Sequence, residues 1–372
     1  MTFKGIKCLW QLSFVWTINQ KLKYYQMKKL SLLAVSMLLL LSGSIVSGQG
    51  NSTGYTIVNK FSLPGDGFWD YLTVDEAGSR LFLSHGTVVQ VVNLKDGQLI
   101  GTIDDTPGVH GIALAPDLNK AFISCGRDAS VKVINFNTLA VIADVQVTGE
   151  NPDAIIYDKY SGKVLTFNGR TANSTIIDAK TDKIVGTIAL EGKPEFPASN
   201  GKGKIYVNIE DKSLISVIDI NAMKVITSWP IAPGVEASGL ALDRETNRLF
   251  AVCRNKLMVV VNAESGKVIT SLPIGEGCDG VKFDPELKRA YASCGDGTMT
   301  VVQEVDKDHF KVLTTIKTAA GARTLAVDTK THHIYTPTAE FNPAPAPTAD
   351  NPRPRRSMKP GSFYVIDIAP SK

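Results

Sequence analysis

From about residue 54 onward the hydrophobic residues come in short runs, rich in Val, Ile, Leu and aromatics and separated by Gly, Asp, Asn and Pro. Runs of that length with β-branched and aromatic side chains read as strands. No segment sustains the period of an amphipathic helix. The runs also repeat. FWDYLTVD at Phe68 has relatives in VHGIALA at Val109, NPDAIIYD at Asn151, PEFPASN at Pro194, ASGLALD at Ala237, CDGVKFD at Cys278 and ARTLAVD at Ala322. Aligned, they place Asp70, His110, Asp153, Glu195, Ser238, Asp279 and Arg323 in one column, at successive spacings of 40, 43, 42, 43, 41 and 44 residues. A sustained period of this size marks a repeat architecture.

Each unit carries the same internal plan. Five positions after the column comes a turn acid, at Asp75, Asp158, Asp243, Asp284 and Asp328, with Ala115 and Asn200 as departures. A basic residue and an apolar–aromatic pair follow, as in Arg80-Leu81-Phe82 and Arg248-Leu249-Phe250. The acid is expected to bond the turn backbone and the base to close it. A third strand such as VVQVVN ends in an Asx-turn residue, and a fourth such as LIGTI completes the unit. The expectation is an all-β fold, a seven-bladed β-propeller of four-stranded blades. TIVNKFSL at Thr56 has the pattern of a fourth strand and precedes the first unit, while the seventh unit ends at its third strand, Phe363 to Ile368. The amino-terminal strand is therefore expected to complete the last blade and close the ring, leaving no open edge.

Units such as SLISVIDINAMKVITSWPIAPG and KLMVVVNAESGKVITSLPIGEG resemble the YVTN-type repeats of YncE-like seven-bladed propellers. The stretch IYTPTAEFNPAPAPTADNPRPRRSMKPGSFYVIDI is similar to the last blade of that family. The resemblance spans roughly residues 54–372. It implies an exported protein and the same fold; the YVTN core itself is replaced by ISCG, TFNG, VNIE, AVCR and ASCG. The fold hosts binding, structural and catalytic members, so function must come from the site.

The amino terminus reads as an address. Met27-Lys28-Lys29, the apolar run Leu30 to Leu41 and the small residues to Gly48 have the three regions of a secretory signal over residues 27–48. The run is shorter than the about 20 residues of a membrane span. Residues 1–26 precede an intact signal, as a start assigned too early would leave them, and residues 49–372 form one domain. The mature chain is expected in the periplasm or outside the cell, without a transmembrane span. Removing the leader also changes the charge, because residues 1–48 hold six of the 40 basic residues and none of the 36 acidic ones. The net charge of +4 becomes slightly negative, which argues against a nucleic-acid partner. Relatives in the YncE-like family are associated with single-stranded DNA, a use that would need a basic and aromatic track; Phe68, Trp69 and Tyr71 cluster at the first blade's entrance, and PRPRRSMK is the basic patch. Cys125, Cys253, Cys278 and Cys294 follow no haem or zinc spacing and are expected as buried thiols, one disulfide among the last three being the alternative.

The first strand of a propeller blade lines the central channel, so the column becomes a polar ring at its mouth. The candidate ligand residues are Asp70, His110, Asp153, Glu195, Asp279 and Arg323 of the ring, with His85, Asn168 and Arg170 around the ends of the second strands. Glu340 joins them from just before the proline-rich insertion 342–361, which is expected to pack over the channel as a lid, to recruit an anionic partner as an exposed loop, or to stand free in solvent. The ring suits a small molecule or a protein partner. Its carboxylates would suit Ca²⁺, and His85, His110 and Asp153 a transition metal. The alternative use is hydrolysis: Asp70, Asp153, Asn168, Glu195 and Asp279 offer the ligand types of lactonase-like propellers that work around one Ca²⁺. From residue 55 onward, through the repeats, no G-x-S-x-G nucleophile motif is present. A ring that merely solvates a water-filled channel is the plain reading beside these.

Overall fold

The structure, a computed structural model, describes residues 54–346, 348, 354 and 356–371. The leader, Arg353 and Arg355 lie outside the described residues. Seven four-stranded antiparallel sheets follow one another around a ring. Blade one is Trp69–Asp75, Arg80–His85, Val88–Asn93 and Leu99–Ile103 from the inside outward. The inner strands of successive blades lie side by side, and that of blade seven, Ala326–Asp328, meets that of blade one. Closure is as expected. Tyr55–Ser62 forms the outer strand of blade seven, antiparallel to Tyr364–Pro370. Among the described residues no helix is long and apolar enough to cross a membrane.

The turn chemistry follows the sequence. Asp75 accepts the Gly78 N–H at 3.1 Å, and Asp158, Asp243, Asp284 and Asp328 accept turn amides in the same way. Where the acid is missing, Asn200 accepts the amides of Lys202 and Lys204, and Ala115 leads into a 3₁₀ turn, Pro116–Leu118. Asn93, Asn135, Asp178, Asp219 and Asn262 close the third strands with Asx turns.

The bases do more than the sequence suggests. Arg80 meets Asp75 at 2.9 Å, but it also donates to the Phe136 carbonyl of blade two. Lys120 reaches Asp182 of blade three at 2.7 Å, Arg248 reaches Asp308 of blade six at 3.3 Å, and Arg289 donates to the Tyr55 hydroxyl of blade seven at 2.8 Å. A long cation at the start of the second strand outreaches its own hairpin, so it stitches neighbouring blades. Between the blades lie the aliphatic and aromatic clusters, with Phe82, Phe122, Phe167, Phe250 and Tyr291 fully buried. All four described cysteines are free and buried, including Cys278 and Cys294, which sit opposite each other in the ladder.

Candidate ligand site at the channel mouth

The column residues of blades one to six reach the channel because the inner strand is bulged where they stand, whereas Arg323 precedes the inner strand of blade seven. In blades one to six the pairing with the second strand skips between Trp69 and Leu72, Val109 and Ile112, Pro152 and Ile155, Pro194 and Pro197, Ala237 and Leu240, and Cys278 and Gly280. A bulge turns the intervening side chain out of the pleat and leaves backbone groups to be satisfied. Buried hydroxyls of the second strands do this: Ser84 accepts the Asp70 N–H at 2.9 Å, and Ser124 accepts the Gly111 N–H at 2.8 Å.

Asp70, His110 and Asp153 converge. His110 Nδ1 lies 2.7 Å from Asp70 Oδ2 and 3.6 Å from Asp153 Oδ1. Gly126 makes room for this imidazole, since a Cβ there would stand 2.8 Å from His110 Nε2. Arg323 donates from Nε to Asp279 at 2.8 Å and from Nη2 to the Trp69 carbonyl at 2.9 Å, with Asp70 Oδ1 at 3.5 Å. It therefore ties blade seven to blades six and one. On the other side Lys193 bridges Glu195, at 2.7 Å, and Glu210.

The electrostatics follow from this crowding. Burial pulls the His110 pKa down, but the Asp70 hydrogen bond and the fields of Asp153, Asp70 and Glu195 outweigh it and raise the value to about 9. At neutral pH His110 is an imidazolium. Asp153 is held above the carboxylate range by burial, with the repulsion of Asp70 and Asp279 partly offset by His110. Glu195 is raised by burial and by Asp153, against the pull of Lys193. Directly below the acids, burial and the fields of Asp153, Asp70, Glu195 and Asp279 push the Tyr71 phenol well up.

These shifts share a sign. An imidazole raised in the folded state stabilises it fully below its unfolded value of about 6.5 and loses that stabilisation as pH rises through about 9. A raised carboxyl costs nothing while protonated in both states, costs more as pH climbs from its unfolded to its folded value, and levels off above that. Stability is therefore expected to fall between pH 5 and 9, by on the order of 2 kcal/mol after allowing for solvent access to His110. Urea unfolding at pH 5.5, 7 and 9 checks this; a flat or rising trend contradicts it. Asp70→Asn should flatten the His110 part of the slope.

Other expected site residues stand elsewhere. His85 is 2% exposed, stacked on Phe363 with ring centroids 3.8 Å apart and hydrogen-bonded to Gln90. Asn168 is fully buried and donates to Asn173 and Thr175. Both end second strands, whose last residues pair with the residue before the column, Trp69 for His85 and Pro152 for Asn168. That residue points between blades, so its partner is buried with it. Arg170 is exposed, and Glu340 is exposed and paired with Lys359 at 3.0 Å. Of the insertion, Phe341 turns inward against Trp69 and bridges Met358, while Glu340 turns outward. The metal-type cluster among the described residues is Asp70, His110 and Asp153, with His85 outside it.

The column alignment misses Lys193, two residues before Glu195, and Glu210, one after the end of its second strand. Their signal is a lysine and an acid flanking a buried acid on the same blade end, visible once the mouth is known.

No family model matches the chain, and no curated protein does. Among solved structures it is similar to Kuenenia stuttgartiensis hydrazine synthase, with a TM-score of 0.62 and 16% identity over 74% of this chain and 94% of that one. The likeness is one of fold. At that identity it supports the propeller architecture and carries nothing about activity.

Proposed function

We propose that the protein is an exported binding module, related to the YVTN-repeat, YncE-like propellers, that holds a small cationic ligand at the mouth of its channel. The observation behind this is Asp153. Its Oδ1 is buried without a hydrogen-bond partner, 3.6 Å from His110 Nδ1 and in the field of Asp70. Around it Asp70, Asp153, Glu195, Asp279 and Glu210 outnumber His110, Lys193 and Arg323. The surplus is held off by retained protons, and an ammonium or guanidinium group would replace them. The export reading rests on the leader sequence and the family reading on the repeats.

A second reading has one observation in its favour. Donor atoms of Asp70, His110 and Asp153 lie within 4.8 Å of one another, a spacing a divalent ion could bridge, and such an ion would open lactonase-like hydrolysis. The imidazolium proton would have to leave first, so affinity would climb with pH.

The two readings separate in a thermal-shift series on the mature protein at pH 7.5 with putrescine, Ca²⁺, Mn²⁺ and a chelator. Putrescine at tenfold its dissociation constant should raise Tm by about 2 °C. Asp153→Asn should abolish that shift. A melting point lowered by chelator and restored by a metal would replace the cationic-ligand reading with the metal one. Stabilisation by neutral sugars or anions alone would remove both.

A further inference from the structure

The channel has a second chamber, at the end away from the acids. A cavity of about 690 Å³ is walled by the far halves of the inner strands, with Ile112, Leu114, Ile155, Leu240 and Leu242 among its aliphatic lining. Lys282 lies in it, three residues along its strand from Asp279. Its Nζ stands 4.3 Å from the centroid of the Phe196 ring, and Phe196 packs on Tyr71 with centroids 5.0 Å apart. Tyr71 lies in the field of the mouth acids and Phe196 lines the lower cavity, so this aromatic pair stands between the two.

Lys282 has no carboxylate within ion-pair distance and no hydrogen-bond acceptor among the described residues. Burial alone pulls its pKa down to about 8, without a counter-charge to oppose it. Other charged groups lining the chamber leave this amine uncompensated. Asp75 is occupied by Arg80, Glu76 accepts from Thr329, and Arg244 and Lys330 add positive charge. A half-buried cation without a counter-charge favours a ligand that supplies the opposite charge. The volume falls in the range of small-molecule sites, roughly 300–1,000 Å³.

We infer that this chamber binds a small organic carboxylate with an apolar body, its carboxylate on Lys282 and its hydrocarbon part against the aliphatic wall. The site is separate from the acidic mouth and takes the opposite charge. It stands whether or not the mouth binds a cation.

Naphthalene-2-carboxylate and its neutral analogue naphthalene-2-methanol test the inference by calorimetric titration of the mature protein at pH 7. The carboxylate should bind at least tenfold more tightly than the alcohol. Lys282→Met should remove that preference, leave the alcohol within twofold and melt close to the wild type, since the half-buried amine holds no ion pair whose loss would destabilise the fold. Asp153→Asn should leave both affinities unchanged, which separates this chamber from the mouth. Equal affinity of the wild type for the two probes, or no binding of either at millimolar concentration, would overturn the inference without recourse to any variant. So would an undiminished preference in Lys282→Met.

Discussion

A chain that begins at Pro64, and so lacks the strand Tyr55–Ser62, is expected to lose cooperative folding. That strand supplies the outer edge of blade seven and buries Tyr55 and Phe61, and Leu63 beyond it is buried too. Tyr55 meets the Tyr291 hydroxyl of blade six at 3.0 Å and receives the Arg289 guanidinium. Three large buried side chains are together worth about 5–8 kcal/mol, as much as the whole stability of many domains, about 5–15 kcal/mol. The truncation also bares the edge of Tyr364–Pro370, a template for aggregation. Size-exclusion chromatography and a thermal melt by circular dichroism would read the result. A monomer with a sharp transition near the wild-type temperature would show that ring closure is dispensable.

Arg323→Ala is expected to be the most damaging single change at the mouth. It leaves Asp279 without its 2.8 Å partner, Asp70 without its second cation and the Trp69 carbonyl without its donor. Breaking a buried pair by removing one partner costs about 3–5 kcal/mol. The guanidinium is one-third exposed, so about 2–4 kcal/mol is the better figure here. Arg323→Lys should recover less than half, because one ammonium cannot span three acceptors on two blades. Urea unfolding measures both. A loss below about 1 kcal/mol for the alanine variant would mean that solvent satisfies these groups and the site is not a closed network.

Repeat spacing made the ring of seven sheets readable, because turn acids, Asx turns and the displaced first strand are local features that hydrogen bonding fixes. Asp70, His110 and Asp153 came from the same alignment. Depth inside the channel did not. The bulge that aims the column inward leaves no residue-type signature, since Trp69–Leu72 and Ala237–Leu240 bulge alike with different sequences. His85 and Asn168 looked equivalent to the column by blade end, yet strand pairing sets them one residue away, in the packed space between blades. Nor does spacing predict that Tyr71, Phe196 and Lys282, from blades one, four and six, meet across the axis. Such contacts depend on channel diameter, which seven blades determine together.

Proton release on cation binding tests the central claim most directly. If the mouth retains protons only because it lacks a counter-charge, a bound cation must expel one. Calorimetric titration with putrescine at pH 7.5, run in phosphate and in Tris, gives the number from the difference in observed enthalpy. The account predicts release of about one proton per ligand, lost in Asp153→Asn. Binding with no proton released, or no binding while anions bind at the mouth, would contradict it.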